Sequence, residues 1–231
     1  FLMNKEMNFN AEMTSEYDRG IRRTFPTYDQ LFRIVHAYLN AQLNEESRLL
    51  IDGAGGGTEL TVFAPNNPGW HFAAVDPSES MLQLAQGKME QLNLTQQVDF
   101  FSGIVQNLEA SSFDAATSLL VLHFIEDDEQ KLAHLKAIRA RLTDGAPFVI
   151  AALYGDRESA EFKTIYALWK ACWLHTTKLT ADQVDKMGET LLSQSILTED
   201  EIRHLLTAAG FRQITNFFKT NLFGAWVCQA Q

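Results

Sequence analysis

Five short apolar runs recur through the first two-thirds of this chain, separated by segments of helical periodicity. They are SRLLIDG (47–53), HFAAVD (71–76), QVDFFSG (97–103), FDAATSLLVLHF (113–124) and APFVIAAL (146–153). Strands that are apolar on both faces belong to a parallel sheet covered by helices on either side. The intervening segments supply those helices. SESMLQLAQGKMEQLNL places Met81, Leu82, Leu84, Ala85 and Met89 on one face, with Ser78 as the expected N-cap beside Pro77. EDDEQKLAHLKAIRARL carries acids in its first turn and bases in its last, and Gly145 is expected to close it.

The chain changes character at its end. TEDEIRHLLTAAG reads as one more helix with a glycine stop, and FRQITNFFKT and LFGAWVCQA follow with only a tight connection. So short a link cannot make a parallel crossover, so the pair is expected as an antiparallel hairpin at the sheet edge. Two stretches stand outside the alternation. Residues 1–46 read as a helical cap broken at Pro26, and residues 154–195 as a helical insertion. The core then spans 47–153 and the closing helix and hairpin 196–231, all within one domain.

With 46% hydrophobic and 21% charged residues, a 231-residue chain can bury a sizeable core. A net charge of −10 disfavours a broad nucleic-acid footprint, apart from a local basic patch at Arg19, Arg22 and Arg23. Cys172 and Cys228 have no metal or redox spacing and are expected as free thiols in a reducing compartment. No apolar run reaches membrane-spanning length and no signal-peptide pattern opens the sequence, so a soluble cytoplasmic protein is expected.

The stretch LLIDGAGGGTEL bears most directly on function. In an open parallel sheet, ligands bind beyond the carboxyl ends of the strands, where the strand order reverses. Gly53, Gly55 and Gly57 stand at that end of the first strand, where absent side chains permit tight turning and close ligand approach. The spacing is GxGxG, and Thr58 stands where the dinucleotide pattern needs glycine. Asp76 closes the second strand about 20 residues beyond Gly57, where an acid can accept both hydroxyls of a ribose.

These motifs resemble the class I S-adenosylmethionine-dependent methyltransferases over nearly the whole chain. LLIDGAGGGTEL looks like the first motif of that family, AAVDPSESML like its second, FDAATSLLVLHFI like its fourth strand, and LLTAAGF like the entry to its last hairpin. The resemblance implies an α/β, Rossmann-like, seven-stranded and mostly parallel sheet with an antiparallel last strand, in three α/β/α layers. It implies S-adenosyl-L-methionine as cofactor. Within the family, FPTYDQL, VLHFIEDDEQ and the tail from GETLLSQSIL to FGAWV are most similar to the carboxy-S-adenosylmethionine synthase branch. By that likeness Tyr28 would lie over the cofactor. Asp52, Gly53, Ala54, Gly55, Gly57, Asp76, Pro77, Met81, Ile104, Val105 and Leu119 would line it. Either Gly53 or Ala54 is the first glycine position, according to whether Ile51 or Asp52 takes the place of the family's acid. The branch has Asp where this chain has Ile104, Asn at Leu119 and Arg at Leu205. The missing Arg implies methyl transfer rather than handling of a carboxylated cofactor.

Methyl transfer from a sulfonium needs alignment and, for some acceptors, a general base. His123 is the first candidate for that base, followed by Tyr17, Tyr28 and His175. The remaining histidines lack metal-ligand spacing, so no metal is expected. FKTIYALWKACWLHTTKL is apolar on too many faces for a helix on a single core. It is expected either to be buried on two sides, a homodimer contact included, or to form an aromatic lid over a planar acceptor. The expected acceptor is a small molecule. A synthase-like enzyme that modifies the cofactor and a non-catalytic cofactor-binding protein are the alternatives.

Overall fold

A computed structural model describes Arg22, Phe25 and residues 27–231 other than Ala110. The expectations for Tyr17, Arg19, Arg23 and the break at Pro26 lie outside these residues. Helix α1 (Tyr28–Gln42) leads into β1 (Arg48–Asp52), α2 (Thr58–Phe63), β2 (His71–Asp76), α3 (Glu79–Gln91) and β3 (Val98–Ser102). Then come β4 (Ala115–Leu119), α4 (Asp128–Arg139), β5 (Pro147–Leu153), α5 (Ala160–Thr176), α6 (Ala181–Leu192) and α7 (Glu199–Ala208). Strands β6 (Phe211–Thr220) and β7 (Phe223–Ala230) end the chain.

The seven strands form one sheet in the order β3-β2-β1-β4-β5-β7-β6. Strands β1 to β5 are parallel, and β7 runs antiparallel between β5 and β6. The expected hairpin is present, and it folds inward so that β6 takes the edge. Thr220 pairs with Phe223 across a two-residue turn in which Asn221 adopts a φ of 46°, a conformation asparagine tolerates well. Register shifts in β6 break its ladder, which blunts the exposed edge against pairing with other chains.

One face of the sheet packs against α1, α2 and α3 through residues such as Leu49, Ile51, Val35 and Phe63. The other packs against α4 and α7 through Leu50, Phe148, Ile138 and Ile202. The caps read from the sequence are formed: Ser78 accepts from the Met81 amide and Asp127 from the Gln130 amide. Helix α7 opens with a reciprocal box between Thr198 and Glu201.

Two boundaries differ from expectation. Helix α4 ends at Arg139, well before Gly145. The chain just beyond it leaves the helix to exchange hydrogen bonds with Phe113, through the carbonyl of Arg141 and the amide of Thr143. The fourth apolar run yields only a five-residue strand, because Leu120 turns left-handed at φ 67° and Leu122–Phe124 form a 3-10 turn. Helices α5 and α6 enclose a small core of their own around Phe162, Trp169, Trp173, Val184 and Leu191, seated on Leu153 and Leu222. Helix α5 therefore buries one stripe and leaves Leu168 and Leu174 exposed.

Candidate active site

The strand order reverses between β1 and β4, so a crevice opens beyond the carboxyl ends of these two strands. The glycine loop forms one wall. Gly53, Gly55 and Gly57 all have positive φ, at 73°, 49° and 78°. Ala54 does not, so the three left-handed positions follow the GxGxG spacing from Gly53. Close packing also requires two of them, Gly53 and Gly57. A Cβ on Gly53 would stand 2.2 Å from Val121 Cγ2, and one on Gly57 would stand 2.8 Å from Ala85 Cβ. A Cβ on Gly55 would meet nothing nearer than Met81 Cε at 3.5 Å, so the middle of the loop presents backbone without crowding.

Asp76 ties this loop to β2. Its Oδ2 accepts the Gly55 amide and its Oδ1 the Ser78 amide, each at 2.8 Å. Burial pushes its carboxyl up from the ordinary carboxylate range, and the two amide donors pull back against that. Each oxygen keeps a further acceptor site beyond those two bonds. The carboxylate is thus held at the loop, as a ribose-binding acid requires. Pro77 is exposed beside it, and Met81 is buried on the first turn of α3 under Gly55. Beyond β3, Ile104 is 44% exposed and Val105 fully buried. Leu119 is buried at the end of β4. Tyr28, buried at the start of α1, meets Phe25 and Phe32 edge-on.

Other expected residues stand elsewhere. Asp52 faces away from the loop, toward α4. Its Oδ2 accepts from Ser118 Oγ at 2.7 Å and from His134 Nε2 at 2.8 Å, all three residues being buried. The geometry gives it no direct path to a ligand in the crevice, which corrects its place among the lining residues. His123 is also buried, with its Nδ1 accepting the Leu153 amide at 3.3 Å. Burial lowers its pKa to about 3. With Nδ1 engaged, the neutral ring carries its proton on Nε2 and has no lone pair left to receive another. This geometry does not suit a general base. Leu205 lies on α7, half-buried against the α4-side core rather than on the crest. The absence of charge there says nothing about the crevice.

The sequence reading missed the polar pairs beneath the crest. Thr117 and Ser118 interrupt an apolar strand that is buried on both faces, and such groups must find partners. Thr117 Oγ1 donates to Glu59 at 2.6 Å on one face, and Ser118 to Asp52 on the other. Burial pushes the Glu59 carboxyl up to about 8. The doublet in the strand signals the need for partners, but only the fold identifies them. Among the described residues no group of three metal-ligating side chains converges, and no helix is long and apolar enough to cross a membrane.

The comparisons with known proteins agree with this fold. A family model described as a methyltransferase domain matches residues 51–148. The carboxy-S-adenosyl-L-methionine synthase of Campylobacter hominis is 24% identical over 228 residues, covering 97% of this chain and 95% of the relative. The crystal structure of magnesium protoporphyrin IX methyltransferase from Synechocystis, with bound S-adenosylhomocysteine, superposes with a TM-score of 0.68 at 17% identity, covering 96% of both chains. A methyltransferase structure from Methanosarcina mazei gives a TM-score of 0.62 at 18% identity over 84% of this chain and 96% of its own. The matched segment runs from the end of β1 into β5, the part of the sheet that carries the glycine loop and Asp76, so residues 51–148 resemble a methyltransferase domain and the chain shares the fold of solved S-adenosylmethionine-dependent methyltransferases.

Proposed function

We propose that this protein transfers the methyl group of S-adenosyl-L-methionine to a small, largely apolar acceptor. The observation that carries the reading is the Asp76 carboxylate, fixed on the Gly55 amide at the switch point of the sheet. Gly53, Ala54, Gly55 and Gly57 would take the amino-acid end of the cofactor against bare backbone, and Asp76 with Pro77 the ribose. Ile104, Val105 and Met81 would pack the adenine, with Leu119 below and Tyr28 above. The bound sulfonium supplies the electrophilic methyl group. The chain aligns the acceptor and excludes water, which is the larger part of catalysis in such a displacement.

On the acceptor side, Leu120, Val121, Phe124 and Ile125 are half-exposed apolar residues flanking the buried Leu122 and His123. Such a wall favours an uncharged acceptor body. The net charge of −10 argues against nucleic acid. Two free thiols, Cys172 half-buried and Cys228 buried, support a cytoplasmic setting, and exposed Leu168 and Leu174 on α5 support a homodimer contact.

Calorimetric titration with S-adenosylhomocysteine tests the reading. A micromolar Kd is expected, weakened about tenfold or more by Asp76→Ala. An absence of binding at millimolar ligand would overturn it. A second reading, an enzyme that modifies the cofactor itself, is favoured by the relatives named carboxy-S-adenosyl-L-methionine synthase, which align along nearly the full chain. Mass spectrometry of the nucleoside carried through purification separates the two. A carboxylated cofactor supports the second, and S-adenosylmethionine or its demethylated product the first.

A further inference from the structure

Asp52 is the last residue of β1 and the direct neighbour of Gly53, yet it points away from the crevice. Its cross-strand partner in the β1–β4 ladder is Ser118, which donates to Oδ2 from the adjacent strand. His134, one turn into α4 and beyond, donates to the same oxygen from the helix above. A buried carboxyl must satisfy its acceptor sites within the protein. Two hydrogen bonds on one buried oxygen leave the carboxylate little freedom.

The loop is held from the other side as well. The amides of Gly53 and Ala54 both donate to the Val75 carbonyl of β2, at 2.9 Å. The strand end is thus pinned toward α4 and the loop toward β2. Helix α4 is also the element into which the acceptor-side segment from Leu120 to Glu126 runs, with Asp127 as its cap. A single contact, His134 to Asp52, therefore joins the helix behind the acceptor wall to the residue that launches the cofactor loop.

We propose that the Asp52–His134 contact, with Ser118 beside it, is a positioning device that holds the glycine loop in its binding conformation and so sets the affinity for S-adenosylmethionine. The proposal rests on the functional reading above and concerns residues outside the crevice. His134 touches no ligand in this scheme.

The test compares the wild type with His134→Phe, which keeps a ring but loses the donor, and His134→Gln, which keeps an N–H at a similar reach. Ile138→Val, a core truncation on the same helix, controls for general loosening of the fold. Three quantities are read: the Kd for S-adenosylhomocysteine, the hydrogen-exchange rates of the amides over 53–57 in the free protein, and the melting temperature. His134→Phe should weaken binding about tenfold or more and speed loop exchange by a similar factor. His134→Gln should restore most of both. Ile138→Val should lower the melting temperature while leaving Kd within about twofold of wild type. Wild-type Kd and loop exchange in His134→Phe would overturn the proposal, and so would a loss in Ile138→Val equal to that in His134→Phe. Should His134→Phe fail to fold, Ser118→Ala removes the other donor and must show the same loop-confined change in exchange. If the wild type itself binds no nucleoside, the functional reading falls, and the exchange rates still decide whether the contact holds the loop.

Discussion

Glu59 lies in the first turn of α2, directly after the glycine loop, and is only 3% exposed. A carboxylate in that position gains at most about 1 kcal/mol from the helix dipole, whereas full burial costs a charge several times as much. Burial therefore wins, helped by the nearby charge of Asp52 and opposed by the Thr117 hydroxyl, and the group keeps its proton up to about pH 8 against an ordinary 4.5. The folded pKa is raised, so the stability associated with this proton is complete below the unfolded value and is lost as pH rises toward and through the folded one. Each pH unit in that window weakens the fold by about 1.4 kcal/mol, for a loss of roughly 4 kcal/mol between about pH 5 and about pH 9. Against a typical net stability of about 5–15 kcal/mol this is a large fraction.

Glu59→Gln keeps an oxygen for Thr117 and removes the titration. Urea unfolding of both proteins across that range should give nearly equal stabilities at the acid end. The Gln variant should become more stable by roughly 4 kcal/mol at the alkaline end. Parallel stability profiles from acid to alkali would refute the reasoning, since they would mean that Glu59 ionises in the folded protein as it does in the unfolded chain.

Two further outcomes are expected. Gly57→Ala forces a Cβ to within 2.8 Å of Ala85 at a φ of 78°, while Gly145→Ala meets the same left-handed backbone with nothing within 4 Å; thermal unfolding should show a loss of about 1 kcal/mol at Gly145 and about 2 kcal/mol or more at Gly57, with cofactor binding lost only at Gly57. His123→Asn keeps an acceptor for the Leu153 amide, so once an acceptor substrate is in hand its rate should fall less than about tenfold, and the wild-type pH–rate profile should lack a limb due to this ring; a loss in the range of about 10²–10⁴ would restore His123 as the base.

Much of this architecture is legible in the sequence because parallel strands buried on both faces need unbroken apolar runs, and LLID, HFAAVD and PFVIAAL are such runs. The glycine register is legible for a similar reason: only glycine takes three positive φ values in so short a loop. The fourth strand misled because FDAATSLLVLHF is apolar well past the point where the chain turns. A left-handed Leu120 has no propensity signal and is held by the hydrogen bond its amide donates to the Ala151 carbonyl. His123 misled for the same reason, since the turn that follows buries a ring expected to stand at a strand end. The Asp52–His134 contact was out of reach because it joins β1 to a helix on the far side of β4, and only the completed sheet brings them together.

The two central strands solve one electrostatic problem in two ways. Ile51 faces Thr117 across the ladder and Asp52 faces Ser118, so the adjacent hydroxyls emerge on opposite faces of the sheet. On the face of α2, Thr117 meets a carboxyl that burial holds in its protonated form. On the face of α4, Ser118 and His134 supply two donors to Asp52. Were Glu59 ionised, its charge and that of Asp52 would repel through the sheet. A raised Glu59 pKa thus keeps like-charge repulsion with Asp52 out of the sheet. Asp76 at the end of β2 is the carboxyl that the proposed reading sets against the ribose, and Asp52 the one proposed to position the loop.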